Sequence, residues 1–258
     1  MAVAVVIPAR LESTRLPRKL LLAETGRPLL AHTVERALAA MAASRGTISR
    51  VVVAADDERL ARVAREAGAE AVLTRPDHVC GTDRIAEAAS RLGDEIVVNI
   101  QGDEPEIETA CVLAAARVLE GRSEPMGTLA YPITDESAFR DPNLVKVVLA
   151  RDGCALYFSR AGIPFPRELR PEEAGALARG VWGLAHIGIY AYRREFLARY
   201  PSLPRSALEM REKLEQLRAL EAGERIRVAV VDPPRGRPVD TREDYDAFVA
   251  RWRGGGRA

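Results

Sequence analysis

Short apolar runs alternate along the chain with stretches in which apolar residues recur every three or four positions. The runs have the length and the Val/Ile content of buried strands, and the stretches between them have the period of amphipathic helices. This alternation predicts βαβ units and therefore a three-layer α/β fold around a mainly parallel, twisted sheet. In the first half of the chain, the pattern predicts strands at 3–7, 50–54, 71–74 and 95–100 and helices at 28–42, 58–67, 82–92 and 108–120.

The alternation becomes less regular in the second half of the chain. Strands are predicted at 127–131, 144–150, 154–159 and 187–192, and Asp152-Gly153 is typical of a tight hairpin turn. We therefore expect an inserted, mostly antiparallel segment over roughly residues 127–200, with a surface excursion at 161–183. A helix at 206–222, a strand at 226–231 and a helix at 241–252 complete what we predict to be one domain, residues 1–258.

The composition excludes several classes of protein. With 258 residues, 47% of them hydrophobic, the chain can bury a sufficient core without disulfides. Because 38 Lys and Arg residues balance 37 Asp and Glu residues, a general binder of nucleic acid is not expected. The three cysteines are widely separated and form no Cys/His motif, which argues against a structural zinc site.

The apolar run at the N-terminus does not have the features of a targeting segment. It lacks a preceding basic stretch and is interrupted by Pro8 and Arg10. Elsewhere, no apolar run approaches the ~20 residues that a transmembrane helix requires. We therefore expect a soluble, cytoplasmic protein that does not contact membranes.

The segment that follows the first predicted strand is long and basic. In open parallel sheets, ligands bind beyond the carboxyl ends of the strands, which is where this segment begins. It lacks both the GxGxxG turn and the GxxxxGK[ST] phosphate loop, so a dinucleotide-dependent dehydrogenase is disfavoured. Its cations are Arg10, Arg15, Arg18, Lys19 and Arg27. Their position favours a site for a polyphosphate, with a solvated basic loop as the alternative.

Lysine is rare in this chain. It occurs only at positions 19, 146 and 213, and the other 35 of the 38 basic residues are arginine. A lysine in such a chain is a candidate for a role that needs a compact point charge, which applies to Lys19 in the basic loop.

Two aspartates are candidates for binding a metal ion. Asp103 follows the predicted strand at 95–100 and precedes a turn at Pro105. A carboxylate at a strand tip beside a basic loop suits Mg²⁺ that is bound to phosphate oxygens. Asp240, before the last predicted helix, is the candidate for a second carboxylate. Taken alone, each has an ordinary structural alternative, a turn cap for Asp103 and a helix N-cap for Asp240.

Two further pairs of polar residues are candidates for ligand binding. His186 and Tyr190 lie four positions apart in a predicted strand, so both side chains point to the same face. A shared ligand and a structural histidine are equally compatible with that spacing. Glu215 and Gln216 are adjacent polar residues within an apolar helical pattern. They indicate either a solvated face or hydrogen-bond partners for a hydroxyl-rich ligand.

Eight ordered blocks, over nearly the whole chain, resemble the 3-deoxy-manno-octulosonate (Kdo) cytidylyltransferase family. They are IPARLESTRLPRK (7–19), HVCGTDRIAEA (78–88), VNIQGDEP (98–105), NLVKVV (143–148), ALYFSRAGIPFPR (155–167), HIGIYAYR (186–193), LEQLRALEAGE (214–224) and VDTREDY (239–245). The blocks at 155–167 and 214–224 favour this family over the related sialic-acid cytidylyltransferases. The clearest departures are Arg18 and Leu20, which replace the family's Gly and Pro on either side of Lys19.

This resemblance implies the nucleotide-diphospho-sugar transferase fold and transfer of CMP from CTP to the anomeric 2-hydroxyl of Kdo, a step of lipopolysaccharide biosynthesis. It also implies Mg²⁺ as cofactor and a homodimer that docks through the inserted segment. For the nucleotide and the metal, the implied residues are Pro8, Ala9, Arg10, Arg15, Lys19, Gly81, Thr82, Asp103 and Asp240. Among these, the two aspartates would hold Mg²⁺ and would act in catalysis with Arg10 and Lys19. For the sugar, the implied residues are Gln101, Arg160, His186, Tyr190, Glu215 and Gln216, with Arg160 facing the carboxylate.

Two alternatives are open at the level of sequence. The first is a cytidylyltransferase for another acidic sugar, either an amino-substituted octulosonate or a sialic acid, because the sequence does not resolve the sugar pocket. The second is a sugar-nucleotide-binding module without turnover. The joint presence of Lys19, Asp103 and Asp240 argues against that module.

Overall fold

The computed structural model describes residues 2–78, 80–167 and 180–255 of the chain. Within these residues, nine strands form one mixed sheet: β1 (Val3–Ala9), β2 (Ile48–Ala55), β3 (Glu70–Leu73), β4 (Ile96–Asn99), β5 (Met126–Ile133), β6 (Lys146–Leu149), β7 (Ala155–Ser159), β8 (Gly183–Arg193) and β9 (Ile226–Val230). The helices are α1 (Leu29–Ala43), α2 (Glu58–Glu66), α3 (Gly81–Ala89), α4 (Thr109–Arg117), α5 (Glu136–Arg140), α6 (Arg194–Arg199), α7 (Ala207–Glu212), α8 (Gln216–Glu221) and α9 (Arg242–Arg253). Single 3₁₀ turns lie at Lys19–Leu21 and Tyr200–Ser202. In the described ranges, no helix is long and apolar enough to cross a lipid bilayer.

The first half of the sheet is parallel, as the alternation of strands and helices predicts. Its order is β3-β2-β1-β4, with β1 paired in parallel to both β2 and β4. Every residue of β1 is buried, because its side chains enter apolar clusters on both faces of the sheet. The carboxyl ends of β1 and β4 therefore lie side by side, and the loops that follow them start at the same edge.

The inserted segment is mostly antiparallel, which confirms the prediction. β8 pairs antiparallel with β4, β5 and β6, and β6 pairs antiparallel with β7. At the far edge, β5 and β9 pair in parallel. Part of the predicted surface excursion, residues 168–179, lies outside the described residues.

The prediction of one helix over 206–222 is wrong, because the structure has the two short helices α7 and α8 there. Lys213 ends α7 in the left-handed conformation, with φ of 57°, and its N–H donates to the carbonyl oxygen of Glu209. The break places Glu215 and Gln216 at the beginning of α8 rather than inside a long helix. The sequence pattern also misses α5 and α6, since helices of one or two turns carry little periodic signal.

The C-terminal helix α9 packs against the segment that leads into α1. The hydroxyl of Tyr245 accepts a hydrogen bond from the main-chain N–H of Glu24 at 2.9 Å. His32 of α1 is 2% exposed and packs edge-on against Trp252, with ring centroids 4.4 Å apart. Burial, followed by the charge of Arg27, lowers the pKa of His32 to about 4.

We expect His32 to make the folded protein sensitive to acid. It stays neutral in the folded state down to about pH 4, whereas an unfolded histidine takes up a proton near pH 6.5. Because the unfolded state then binds the extra proton, this contribution to the free energy of unfolding is complete above pH 6.5 and falls by about 3 kcal/mol towards pH 4. Denaturant unfolding across this range should show a shallower decrease for His32→Gln than for the wild type. Equal decreases would contradict the prediction.

Candidate active site

The loops that follow β1 and β4 converge on one lysine. Lys19 donates from Nζ to Asp103 Oδ2 at 2.5 Å, to Asp240 Oδ1 at 3.1 Å and to the main-chain oxygen of Val239 at 2.9 Å. Its side chain is only 12% exposed, so these acceptors largely replace water around the ammonium. Arg15 also donates to Asp240 Oδ1, at 2.7 Å. The structure thus brings together four predicted site residues, namely Arg15, Lys19, Asp103 and Asp240.

Asp240 is available for this cluster because it does not cap α9. The N-cap is Thr241, whose hydroxyl accepts a hydrogen bond from the main-chain N–H of Asp244 at 3.2 Å. Asp244 in turn accepts from the main-chain N–H of Thr241 at 2.9 Å, which completes a capping box. The N-cap alternative for Asp240 is therefore wrong, and its carboxylate faces Lys19 and Arg15 instead.

The two loops approach each other closely at Gly102. A β-carbon at this position would lie 3.0 Å from the carbonyl oxygen of Pro8 and 3.4 Å from a methyl group of Leu20. Thr33 of α1 donates to the carbonyl oxygen of Gly102 at 3.0 Å, which holds the loop after β4 in place. The absence of a side chain at Gly102 therefore permits the contact that places Asp103 against the basic loop.

A buried ion pair fixes the beginning of the basic loop. Asp56, just after β2, accepts a hydrogen bond from the main-chain N–H of Leu11 at 2.9 Å. Its other carboxylate oxygen lies 3.3 Å from Nη2 of Arg84, which is fully buried on α3 and also donates to Thr74. Arg10 lies at the start of this loop, close enough to Arg84 for the two charges to interact. Sequence reasoning missed Asp56 and Arg84, which together hold the main chain at Leu11, directly after the predicted site residue Arg10.

The N-terminus of α3 borders the end of β1. A β-carbon added at Gly81 would lie 3.8 Å from the ring of Pro8, so these two residues are neighbours, and Ala9 beside them is the buried end of β1. Thr82 is buried, and its hydroxyl donates to Glu215 Oε2 at 2.7 Å. Thr82, which is predicted to border the base, is thus hydrogen-bonded to Glu215, which is predicted to contact the sugar.

Three of the predicted sugar-binding residues lie at the junction of β4 and β8. His186 and Tyr190 share one face of β8, with ring centroids 5.3 Å apart. Tyr190 pairs in the ladder with Asn99, whose side-chain oxygen lies 3.5 Å from Nε2 of Gln101. Burial lowers the pKa of His186 to about 3, and its Nε2 lies 2.9 Å from the hydroxyl of Thr128. His186 is therefore a neutral hydrogen-bonding group at physiological pH.

Glu215 and Gln216 reach the same region from the start of α8. The main-chain oxygen of Glu215 accepts a hydrogen bond from the hydroxyl of Tyr200 at 2.8 Å. After burial, the negative charge of Glu215 is the next cause of the raised pKa of Tyr190. Gln216 is buried, and within the described residues its Nε2 has no hydrogen-bond partner. An unsatisfied buried amide is costly, which makes this group a candidate contact for a polar ligand.

Arg160 directly follows β7, near the same face of the sheet. The ring of Phe158, two residues earlier, lies 5.1 Å from the ring of His186. Arg160 donates from Nε to the main-chain oxygen of Glu212 at 2.7 Å and from Nη1 to that of Pro142 at 3.0 Å. These bonds orient the guanidinium and, among the described residues, leave Nη2 without a hydrogen bond.

Glu104 is a site residue that sequence reasoning missed. Burial, followed by the charges of Asp103 and Asp240, raises the pKa of Glu104 to about 8. Its carboxyl group therefore lies near both aspartates. Oε1 of Glu104 is 4.0 Å from the position that a β-carbon on Gly188 of β8 would occupy. The available signal was the second acid in QGDEP, directly after Asp103.

The two aspartates fit a hard divalent cation. Carboxylate oxygens are ligands that Mg²⁺ prefers. Both carboxylates contact one atom, Nζ of Lys19, so they lie close enough together for one cation to reach both. Within the described part of the chain, no group of three or more His, Cys, Asp and Glu side chains could hold a metal ion. A cation between Asp103 and Asp240 would therefore need further oxygen ligands, such as the phosphates of a nucleotide.

Residues 4–226 match the sequence model of a family described as Cytidylyltransferase. The class of this protein is therefore that of the cytidylyltransferases, which are nucleotidyl-transferring enzymes. The structure of 4-diphosphocytidyl-2C-methyl-D-erythritol synthase from Anaerococcus prevotii is similar in fold, with a TM-score of 0.62 at 12% identity over 97% of this chain and 98% of that chain. The predicted nucleotide-diphospho-sugar transferase fold is confirmed.

Two further comparisons give the particular family. The 3-deoxy-manno-octulosonate cytidylyltransferase of Syntrophotalea carbinolica is 46% identical over 255 residues, which cover 98% of this chain and 100% of the relative. A structure described as CMP:2-keto-3-deoxy-manno-octonic acid synthetase complexed with CTP has a TM-score of 0.87 and 38% identity, over 99% of this chain and 100% of that chain. This chain belongs to the 3-deoxy-manno-octulosonate cytidylyltransferase family.

Proposed function

We propose that this chain, acting as one domain, transfers CMP from CTP to the anomeric 2-hydroxyl of Kdo and releases pyrophosphate, for lipopolysaccharide biosynthesis in the cytoplasm. The observation that carries the proposal is the Lys19 ammonium between Asp103 and Asp240, in a chain of this family. We also propose that the enzyme is a homodimer whose interface is formed by the inserted segment. The exposed apolar side chains of Leu156 and Phe165 in that segment support this interface.

The basic loop supplies the charge that a triphosphate requires. Arg10, Arg15 and Lys19 would contact the phosphates. The main chain of Pro8 and Ala9 would hold the nucleotide, and Gly81 and Thr82 would border its base. Since Arg15 and Lys19 already contact aspartates, the cluster offers both the cations for a triphosphate and the anions for its metal ion.

Catalysis would rest on positioning and on electrostatic stabilisation. The sugar hydroxyl attacks the α-phosphorus in line, so negative charge builds up on the α-phosphoryl oxygens and on the leaving pyrophosphate. Lys19, which its hydrogen bonds to Asp103 and Asp240 hold in position, would stabilise that negative charge. The two aspartates would also hold Mg²⁺, which when bound neutralises phosphate charge and lowers the pKa of the attacking hydroxyl.

The sugar would lie between β8, the end of β7 and the start of α8. Arg160 would bind the carboxylate of Kdo through the part of its guanidinium that the main-chain contacts leave open. The hydroxyl groups would contact Gln101, His186, Tyr190, Glu215 and Gln216. The buried amide of Gln216, which has no partner among the described residues, is the clearest of these candidates.

Pyrophosphate release tests the proposed function. We expect release with CTP, Mg²⁺ and Kdo, and none when one of the three is omitted or when another nucleoside triphosphate replaces CTP. Release with sialic acid or an amino-substituted octulosonate, but not with Kdo, would keep the reaction and change the sugar. If folded protein binds CTP and releases no pyrophosphate with any acid, the chain is a binding module instead.

A further inference from the structure

Lys146 is a buried lysine that the proposed reaction does not use. It lies on β6 and is 0% exposed. Its Nζ donates to the main-chain oxygens of Asp141 at 2.7 Å, Leu144 at 2.5 Å and Arg160 at 2.7 Å. These three carbonyl oxygens satisfy all the N–H donors of an ammonium, so Lys146 needs neither a carboxylate nor a ligand to complete its contacts.

The three carbonyl groups belong to two segments that Lys146 joins. Asp141 and Leu144 lie in the turn before β6, and Arg160 directly follows β7. Pro142, in the same turn, accepts a hydrogen bond from Nη1 of Arg160 at 3.0 Å. Lys146 therefore fixes both the main chain of Arg160 and the turn that receives its guanidinium.

Glu212, the last residue of α7, adds a second set of contacts to the same arginine. Its Oε2 accepts from the main-chain N–H of Arg160 at 3.0 Å, and its Oε1 accepts from the hydroxyl of Ser159 at 2.7 Å. Its main-chain oxygen accepts from Nε of Arg160 at 2.7 Å. The charged groups close to Lys146 are Asp141, Arg160 and Glu212. Lys146 and Glu212 thus hold both the main chain and the side chain of Arg160.

We propose that Lys146 is a positioning residue for Arg160 and that it serves recognition of the sugar carboxylate rather than of the nucleotide. This inference rests on the proposed function, in which Arg160 binds the carboxylate of Kdo. A free arginine loses side-chain entropy when it binds, whereas Arg160 is oriented beforehand through Nε and Nη1. Loss of the Lys146 ammonium would release the carbonyl group of Arg160 and the turn that accepts from Nη1, and Glu212 alone would then hold the arginine.

Lys146→Met tests this inference, because methionine fills similar space without N–H donors. We expect the KM for Kdo to rise about ten- to a hundredfold, the effect of displacing a substrate-positioning group, while kcat and the KM for CTP change little. Lys213→Met, at an exposed lysine, is the matched control and should behave as the wild type. An unchanged KM for Kdo, or equal rises in both KM values, would overturn the proposal.

Two further measurements separate positioning from a general structural role. In an Arg160→Met background, the additional change Lys146→Met should produce no further rise in the KM for Kdo. The amide of Kdo, which lacks the anionic carboxylate, should be used equally by the wild type and by Lys146→Met. A further rise in the double variant, or unequal use of the amide, would show that Lys146 does not act through Arg160.

Lys146→Gln covers the case in which Lys146→Met does not fold. Glutamine keeps N–H donors for the carbonyl groups, so this variant should fold and show a smaller rise in the KM for Kdo. If both variants are unfolded, as judged by thermal denaturation, Lys146 is a folding residue and the proposal is wrong. Failure of the proposed function is seen separately, in the wild type, as no pyrophosphate release with CTP and Kdo.

Discussion

Asp103→Asn should lower kcat by about 10²–10³-fold while the fold is retained. Asparagine keeps the size of the side chain but removes the negative charge that contacts Lys19 at 2.5 Å and that would hold Mg²⁺. The loss corresponds to about 3–4 kcal/mol of activation free energy, which is typical when one charge-stabilising group is removed. Stability should change little, because Lys19 keeps its contacts with Asp240 and Val239.

The measurement is steady-state turnover with CTP and Kdo over a range of Mg²⁺ concentrations, together with thermal unfolding of each variant. Asp246→Asn is the matched control, since Asp246 is an exposed aspartate that pairs with Arg242 on the surface of α9. It should retain wild-type turnover. A near-wild-type kcat of Asp103→Asn at saturating Mg²⁺ would remove Asp103 from the catalytic site.

Lys19→Arg should lower kcat by about 10²-fold, although the positive charge is kept. Nζ of Lys19 contacts three oxygens at 2.5–3.1 Å in a largely enclosed place. A guanidinium is planar and larger, so it cannot direct its N–H groups to the same oxygens without displacing Asp103 or Asp240. Both the contact with phosphate and the binding of the metal ion would therefore be weakened.

Measurement of kcat and of the KM for CTP checks this prediction, with Lys213→Arg as the control at an exposed lysine. The control should match the wild type in both constants. If Lys19→Arg also matches it, a positive charge alone suffices at this position, and the argument from the compact shape of lysine fails.

The parallel half of the sheet could be predicted because strands buried on both faces leave short Val/Ile runs between amphipathic helices. The break between α7 and α8 could not be predicted in the same way. Lys213 adopts the left-handed conformation, and Leu214 after it is buried, so the apolar pattern continues across the break. A periodic pattern reports which residues face the core, and it does not report a change in the direction of the axis.

In the candidate site, too, some contacts could be predicted from the sequence and others could not. Asp103 and Lys19 could be placed together because each follows a strand and the carboxyl ends of those strands meet. Asp56 and Arg84 act through a contact between residues that are distant in the chain, and such a contact leaves no local pattern. Glu104 is visible as an acid, but the sequence of a turn does not tell whether its side chain points inwards. The catalytic and binding roles of all these residues are predictions for mutagenesis.

The offset of one residue between Asp240 and the N-cap of α9 separates the start of the helix from the proposed chemistry at this position. The helix begins through the hydrogen bonds of Thr241 and Asp244, so its start does not depend on the carboxylate of Asp240. Had the helix begun one residue earlier, the same oxygens would have served as both the helix cap and the proposed cation ligand. The start of α9 therefore places no constraint on the side chain of residue 240. A variant that lost this aspartate should keep the start of α9, so a loss of turnover in that variant would report on the proposed cation site rather than on the helix.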